Sequence, residues 1–303
     1  MSKAVRRAKA FFFLLKQSAI NFHENEVIKY CASLSYYTIF SIAPMLIIAI
    51  AIGSVLFGKD AVQGHLFGQI NTVVGTDAAI LIQEMLKHAT LRRDNFAASA
   101  VAIVIFVIGV TGVFGEIQST INRIWGLKAK PEKGILRYLV SRVLSFAMVI
   151  SVGFLMVVSM MTGVLIDLLA DKLDNILPET GFIVVVFHNV SSLLIIGFLF
   201  AIIFKFLPDS IVRWSDAIVG SVFTSVLFSL GKYLISLYMS NSPAVGVYGA
   251  AGSIIIILLW IYYSSVLLYF GAEFTRIYAL THGHGIRPNK FSVSIEHRVR
   301  EIE

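Results

Sequence analysis

Charged residues and cysteine are both scarce in this chain of 303 residues. Only 14% of the residues are Asp, Glu, Lys or Arg, whereas a soluble domain carries about a quarter. The hydrophobic share is 57% and the mean hydropathy is +0.82. This composition excludes a soluble domain and predicts a membrane protein. The single cysteine, Cys31, excludes an intramolecular disulfide, a CxxC pair and a thiolate metal cluster.

The motifs of several enzyme classes are also absent. Gly231-Lys232 does not complete a Walker A loop, because Val226 replaces the first glycine and Tyr233 replaces the Ser or Thr. The sequence contains no HExxH pattern and no GxSxG elbow. It therefore predicts a protein that is not an enzyme, with no ATP hydrolysis, no catalytic residues, no metal site and no cofactor.

Long apolar runs make up most of the chain instead. A membrane-spanning helix needs about 20 apolar residues, and continuous runs indicate helices rather than barrel strands, whose apolar residues alternate. We predict an all-α polytopic membrane protein with six transmembrane helices, near residues 31–57, 97–121, 138–169, 181–206, 214–240 and 248–277.

Two amphipathic segments outside these runs predict helices on the membrane surface. Residues 4–22 place Lys and Arg toward lipid headgroups. Residues 77–89 place Ile80, Leu81, Met85 and Leu86 opposite Gln83, Glu84 and Lys87, and a lid over the bundle is the alternative. The chain then divides into a cytoplasmic N-terminal segment 1–30, a membrane domain 31–280 with an external segment 58–95, and a cytoplasmic tail 281–303.

The distribution of Lys and Arg predicts the orientation. Sixteen of these residues lie in 1–30, 122–137 and 276–303, and five lie in 58–95, 170–180 and 241–247. Because cytoplasmic connections are enriched in Lys and Arg, we expect a multi-pass protein of the bacterial inner membrane with both termini in the cytoplasm. The net charge of +7 then meets anionic lipid headgroups, so no nucleic-acid partner is predicted.

Polar residues form stripes on the first two spans. Ser33, Tyr37, Ser41 and Pro44 fall within about 80° of arc, and Pro44 predicts a kink. On the second span the stripe occupies about 100° and comprises Gly109, Gly112, Glu116, Ser119, Thr120 and Arg123. Each stripe either lines a pathway or packs against other helices. Glu116 needs a partner or water, unless it reaches the interface.

Stripes on the last two spans carry further charges. The fifth span has Ser221, Ser225, Ser229, Lys232, Ser236 and Ser240, and the sixth has Tyr262, Ser265, Tyr269, Glu273 and Arg276. We predict that Lys232 faces the interior, where it meets an anionic substrate or a structural ion partner, and snorkelling toward the outer face is the alternative.

Two further predictions concern the acidic residues of these stripes. Glu273 and Arg276 are three residues apart, which favours an ion pair on one helix surface. Glu116 and Glu273 lie at similar depth, which suggests that they share a cavity as a proton or cation site. The candidates for a substrate pathway are Lys232, Glu116, Glu273, Arg123, Arg276, Tyr37, Tyr262, Tyr269, Ser225 and Ser229.

Three strings in the chain are similar to a known family: CASLSYYTIFSIAP (31–44), FLPDSIVRWSDAIVGS (206–221) and VYGAAGSIIIILLWIYYSSVLLYFGAEFTR (247–276). They resemble the YihY/BrkB-like bacterial inner-membrane proteins, a group once labelled ribonuclease BN. The resemblance implies six helices, cytoplasmic termini and a mistaken ribonuclease label. It also implies a link of some members to serum resistance or to export of lipopolysaccharide precursors. No substrate or site residue carries over from it.

Three functions are compatible with these observations. The leading prediction is a transporter or exporter, not driven by ATP, of a lipid or other amphipathic anion. The alternative is a structural or accessory envelope protein in which the stripes only hold helices together. A ribonuclease is the third, and the residues it requires are missing. Membrane lipids are the expected partners, and oligomerisation is left open.

Overall fold

The computed structural model of the chain describes residues 3–90, 96–130, 134–174, 181–240, 250–282 and 285–295. Within these residues the secondary structure is mainly helical. Its elements are α1 (Lys3–Glu24), α2 (Val27–Phe57), α3 (Lys59–Val74), α4 (Thr76–Thr90), α5 (Phe96–Ile124), β1 (Leu127–Ala129), α6 (Gly134–Asp174), α7 (Gly181–Phe206), β2 (Ser210–Ile211), α8 (Trp214–Ser240), α9 (Ala250–Thr281), β3 (Arg287–Pro288) and β4 (Ser292–Ser294).

Four helices of the described residues contain segments long and apolar enough to cross a membrane. They are Gly134–Ile166 in α6, Val184–Phe206 in α7, Trp214–Ile235 in α8 and Gly252–Thr281 in α9, and the two halves of α2 make a fifth if they are counted as one span. The predicted span near 97–121 is helical within α5, but the side chains of 96–108 lie outside the described residues. The fold is thus that of a multi-pass membrane protein.

Helix α2 changes direction by 47° between Val27–Ala43 and Met45–Phe57. Proline has no backbone N–H, and its ring displaces the preceding turn. The bend therefore confirms the kink predicted at Pro44.

Helix α1, strands β1 to β4 and the turns that follow α5 and α7 lie together at one end of the bundle, here called the α1 end. Strand β1 pairs antiparallel with β4, and β2 pairs with β3. Leu14 of α1 packs against Phe274 and Ile277 of α9, so the predicted N-terminal helix forms and docks on the last span. Its position on a lipid surface stays a prediction.

Helices α3 and α4 form a hairpin that folds back among the long helices. Gly75 joins them with a φ of 84°, a left-handed conformation that favours glycine. Val62 of α3 is fully buried and clusters with Ile50 of α2 and Met160 of α6. Ile82 of α4 is 3% exposed and clusters with Ile256 of α9. The hairpin is consequently part of the packed bundle.

The buried face of α4 differs from the predicted one. Ala78, Ala79 and Ile82 are buried, whereas Ile80 is 43% exposed. The helix turns this face inward because it packs against Ile256 and Ile257 of α9. Ile80 therefore lies outside the face that packs against α9, and the placement of α4 on a membrane surface stays a prediction.

Helices α8 and α9 approach closely through two reciprocal pairs of Gly and Thr. A Cβ atom on Gly220 would overlap Thr275 Oγ1, and one on Gly271 would overlap Thr224 Oγ1. Each threonine hydroxyl donates to a carbonyl of its own helix at 2.7 Å, Thr224 to Gly220 and Thr275 to Gly271. Small residues permit such close packing of membrane helices.

Candidate functional site

A groove of about 520 Å³ lies between α2, α5 and α6. It is open on the side of Tyr36, Phe40 and Tyr138, which are each more than half exposed. The residues that line this groove are Tyr36, Tyr37, Phe40 and Ser41 of α2, Gly109, Thr111, Gly112, Gly115 and Glu116 of α5, and Tyr138, Ser141 and Arg142 of α6.

The stripe of small residues on α5 brings α2 close enough to form one wall of the groove. Ser41 Oγ donates a hydrogen bond to Gly109 O at 2.6 Å. A Cβ atom on Gly109 would lie 3.3 Å from Ser41 Oγ, and one on Gly112 would lie 3.2 Å from Tyr37 Cδ1. An alanine at either position would require its neighbour on α2 to shift by a few tenths of an ångström, so the two glycines permit the close approach of α2 to α5.

The groove contains one acidic and one basic side chain. Glu116 is half-buried and makes no hydrogen bond or ion pair with any other residue whose side chain the structure describes. Arg142 donates from Nη2 to Tyr138 Oη at 2.7 Å, and its guanidinium carbon lies 4.7 Å from the centre of the Tyr138 ring. The interior can therefore pair with both a cationic and an anionic group of a ligand.

A second cavity, here called the basic cavity, lies at the α1 end and has a volume of about 380 Å³. Arg123, Lys128 and Arg137 contribute its charged groups. Ser119, Asn122, Gly126, Leu127, Ala129 and Ile295 complete its lining. Arg123 lies over the ring of Tyr30 at 5.1 Å.

Acidic groups near the basic cavity lie outside its lining. Glu26 is exposed. A hydrogen bond from Lys29, and then the charge of Lys29, lowers the pKa of its carboxyl, and the charge of Arg123 lowers it further. Glu26 is therefore ionised at neutral pH and forms an ion pair with Lys29 at 2.7 Å.

Asp209 is the centre of a hydrogen-bond network between the groove and the basic cavity. Its buried carboxylate accepts hydrogen bonds from Asn122 at 2.9 Å, Gln118 at 3.3 Å and Arg137 Nε at 2.8 Å. Its backbone N–H donates to Asn122 Oδ1 at 2.7 Å, and Ser292 Oγ donates to its carbonyl at 2.5 Å. This network, here called the Asp209 network, joins α5, α6, the α7–β2 turn and β4.

The Asp209 network also reaches the groove, because Ser141 in the groove wall donates to Gln118 Oε1 at 2.5 Å. Sequence reasoning did not assign a role to Asp209. The available signal was an acidic residue in the turn between two apolar runs, within the string FLPDS. A buried carboxylate there requires several donors, but their identity is not readable from the local sequence.

The structure divides the polar stripe predicted on the second span between the two cavities. Gly109, Gly112 and Glu116 line the groove, and Ser119 and Arg123 line the basic cavity. Tyr37 of the first stripe lines the groove as well. These candidates therefore lie along one face of α5 and its neighbour α2.

Glu273 lies in surroundings different from those of Glu116. Its side chain is fully buried, and Oε1 accepts a hydrogen bond from Asn21 Nδ2 at 3.0 Å. Arg276 Nη1 lies 3.5 Å from the same oxygen, which confirms the predicted ion pair. Glu273 lies under α1 and does not line the groove that contains Glu116, and a polar region shared by the two carboxylates stays a prediction.

Lys232 faces outward on α8 in the structure. Its side chain is exposed, and it follows Gly231, whose added Cβ would overlap Tyr263 of α9. The contact face of α8 thus passes through Gly231, which turns Lys232 away from the interior. The predicted interior orientation was wrong, and its role in a pathway stays a prediction.

The other candidates on the last two spans are spread over different surroundings. Ser225 is buried and Ser229 is exposed. Tyr262 is half-buried against the main core. Tyr269 is fully buried, with Thr120 of α5 beside its hydroxyl. None of these four side chains lines the groove or the basic cavity.

Comparison with protein families identifies one matching family model. The model is described as virulence factor BrkB, and it matches residues 19–294. No solved structure matches the chain.

Several curated relatives are named UPF0761 membrane proteins. One from Janthinobacterium sp. (strain Marseille) is 26% identical over 83% of this chain and 56% of its own length. One from Pseudoalteromonas translucida is 27% identical over 80% of this chain and 78% of its own length. One from Alcanivorax borkumensis is 26% identical over 91% of this chain and 62% of its own length. The chain thus spans a little over half the length of several relatives, and none of these names refers to an enzymatic activity.

Proposed function

The chain belongs to the BrkB virulence factor family of membrane proteins, and we propose that it is a transporter, not driven by ATP, of a lipid or other amphipathic anion. The amphipathic character of the groove between α2, α5 and α6 is the observation that supports this proposal. Exposed aromatic side chains form its rim, and Glu116, Arg142 and Ser41 line its interior.

The chemistry of the groove suits a substrate with a polar head and an apolar chain. A charged group in the hydrocarbon region of a membrane is costly unless it pairs or meets water. Arg142 can pair with an anionic headgroup, while Tyr36 and Phe40 contact apolar chains at the open side. A groove open to the side lets such a substrate enter from the bilayer without leaving it entirely.

We further propose six spans with both termini in the cytoplasm of the inner membrane, so that the α1 end is cytoplasmic. In a Cys31→Ser background, an impermeant maleimide added to intact spheroplasts should label Asp60→Cys, at the start of α3, and leave Lys128→Cys unlabelled. Both side chains are exposed, so burial does not limit labelling. Permeabilised cells supply the control, since both cysteines should then react. Labelling of Lys128→Cys alone in intact spheroplasts would reverse the orientation.

Filling the groove should stop transport without unfolding the protein. Gly115 lines the groove, and an added Cβ there would have no neighbouring atom within 4 Å, so the leucine of Gly115→Leu can start into the groove without a clash at its Cβ. We expect this variant to slow the movement of fluorescent phosphatidylglycerol across proteoliposome membranes at least about tenfold, equivalent to roughly 1.4 kcal/mol. Loss of the accessible fluorescent lipid after dithionite addition measures this rate.

Gly163→Leu in α6 is the matched control, because Gly163 also has no neighbour within 4 Å and does not line the groove. It should translocate the probe at the wild-type rate. Equal rates for the two variants would exclude the groove as the pathway. A wild-type protein that remains folded but does not move the probe would favour the accessory role over transport of this lipid class.

A further inference from the structure

We propose that the basic cavity at the α1 end binds the phosphate group of an anionic ligand. The cavity is separate from the groove, and phosphate binding there requires no transport. The inference therefore goes beyond the proposed function, and binding and transport can fail independently of each other.

The charges of the basic cavity all have the same sign. Arg123, Lys128 and Arg137 line it, and its described lining includes no acidic residue. Asp209 balances the charge of Arg137, so Arg123 and Lys128 supply the excess positive charge of the lining, and a bound anion would be attracted to it. The volume of about 380 Å³ accommodates a phosphate group together with part of the molecule that carries it.

Two of the three cations are held in position by neighbouring groups. Arg137 uses Nε for its bond to Asp209 at 2.8 Å, which leaves its two Nη groups as donors for a ligand. Arg123 is held over the Tyr30 ring. Because these guanidinium groups are ordered before binding, less conformational entropy is lost when a phosphate is bound. Guanidinium groups also match the oxygen geometry of phosphate.

A small sheet positions the third cation. Lys128 is the central residue of β1 and lies opposite Val293 of β4. Gly126 precedes this strand with a φ of 67°, and its carbonyl accepts a hydrogen bond from Ile295 N at 2.7 Å. The C-terminal strand thereby fixes the turn after α5 at the edge of the cavity and brings Lys128 to the same space as Arg123.

Phosphate in this cavity could come from a lipid headgroup or from a free phosphate compound, because both present the same oxygen atoms. The cavity lies at the ends of α5 and α6, where polar connections begin. Basic pockets at the ends of membrane helices commonly bind lipid headgroups. The two sources are therefore distinguished by experiment, with one probe for each.

The test measures binding of two probes to the full chain in phosphatidylcholine nanodiscs. The first probe is inorganic phosphate, followed by calorimetry, and the second is phosphatidylglycerol added to the nanodisc, followed by native mass spectrometry. We expect the double variant Arg123→Gln, Lys128→Gln to bind at least one probe about tenfold more weakly or worse, equivalent to roughly 1.4 kcal/mol. Arg137 is kept, because its removal would leave Asp209 unpaired.

The charge-matched control is Arg213→Gln, Lys290→Gln, which removes two exposed cations outside the lining of the cavity. It should bind both probes within about twofold of the wild type, since isolated surface charges contribute little. Weakened phosphate binding identifies a general phosphate site, and weakened lipid binding alone identifies a headgroup site. Binding equal to the control for both probes, or no binding of either probe to the wild type, overturns the proposal. Melting curves show whether each variant is folded.

Discussion

Replacement of Asp209 by Ala should lower the stability of the protein by about 3 kcal/mol, at the lower end of the range for a broken buried ion pair. The lower end applies because the Arg137 side chain is 29% exposed and recovers some hydration. The substitution also removes the acceptor for Asn122 and Gln118, which are themselves buried. We expect the melting temperature in detergent to fall by roughly 5–10 °C.

Two further variants separate the charge of Asp209 from its shape. Asp209→Asn keeps the volume but turns an amide N–H toward groups that are themselves donors, so we expect most of the same loss. Asp60→Ala removes an exposed carboxylate from the first turn of α3 and should lower the stability by no more than about 1 kcal/mol, the upper value for a surface charge at a helix N-terminus. A stable Asp209→Asn protein would show that the carboxylate charge does not hold the four chain segments together.

Substitution of alanine for Gly220 or Gly271 should separate α8 from α9. The added Cβ would overlap Thr275 or Thr224, respectively, and both threonine hydroxyls are tied to backbone carbonyls. A β-branched side chain in a helix has one or two rotamers available, so the backbone has to move. Overpacking costs about 1–3 kcal/mol, and we expect a clear drop in the melting temperature for each variant.

Alanine is normally more stable than glycine inside a helix, so a loss of stability on Gly→Ala at these positions would indicate a steric clash. In a helix interior, Gly→Ala stabilises by about 1 kcal/mol, and Gly163→Ala in α6 should do so because nothing lies within 4 Å of an added Cβ. Combining Gly220→Ala with Thr275→Ala should restore part of the stability, since Thr275 Cβ would still lie 2.9 Å away. A stabilised Gly220→Ala protein would show that the two helices do not approach closely.

The helical class and one wall of the groove were readable from the sequence. Continuous apolar runs identify helices because the membrane imposes their length and composition. The α5 stripe was informative because Gly109, Gly112 and Glu116 differ so strongly in size and polarity from the residues around them. A charged residue on a membrane helix is costly in free energy unless it faces the protein interior or water. Small residues are favoured where two helices make contact.

The outward position of Lys232 and the role of Asp209 were not readable, for different reasons. The polar stripe on α8 does not show which side of the helix meets α9. The close approach of Gly231 to Tyr263 determines that side and leaves Lys232 facing outward. The partners of Asp209 are far away in sequence, with Asn122 separated from it by 87 positions. Long-range hydrogen bonds of this kind leave no periodic signal in the local chain.

The fold of the α3–α4 hairpin has a consequence for the order of events during synthesis. Ile82 packs against Ile256. Ile256 is added to the growing chain about 170 residues later, which takes roughly 9–35 s at a rate of 5–20 residues per second. During that interval α4 lacks its partners on α9, although Val62 of α3 can already pack against Ile50 of α2. Neither helix of the hairpin is long enough to span the membrane by itself. We therefore expect α4 to reach its final position only after α9 has been inserted. A chain whose synthesis stops before residue 250 would leave the apolar face of α4 uncovered.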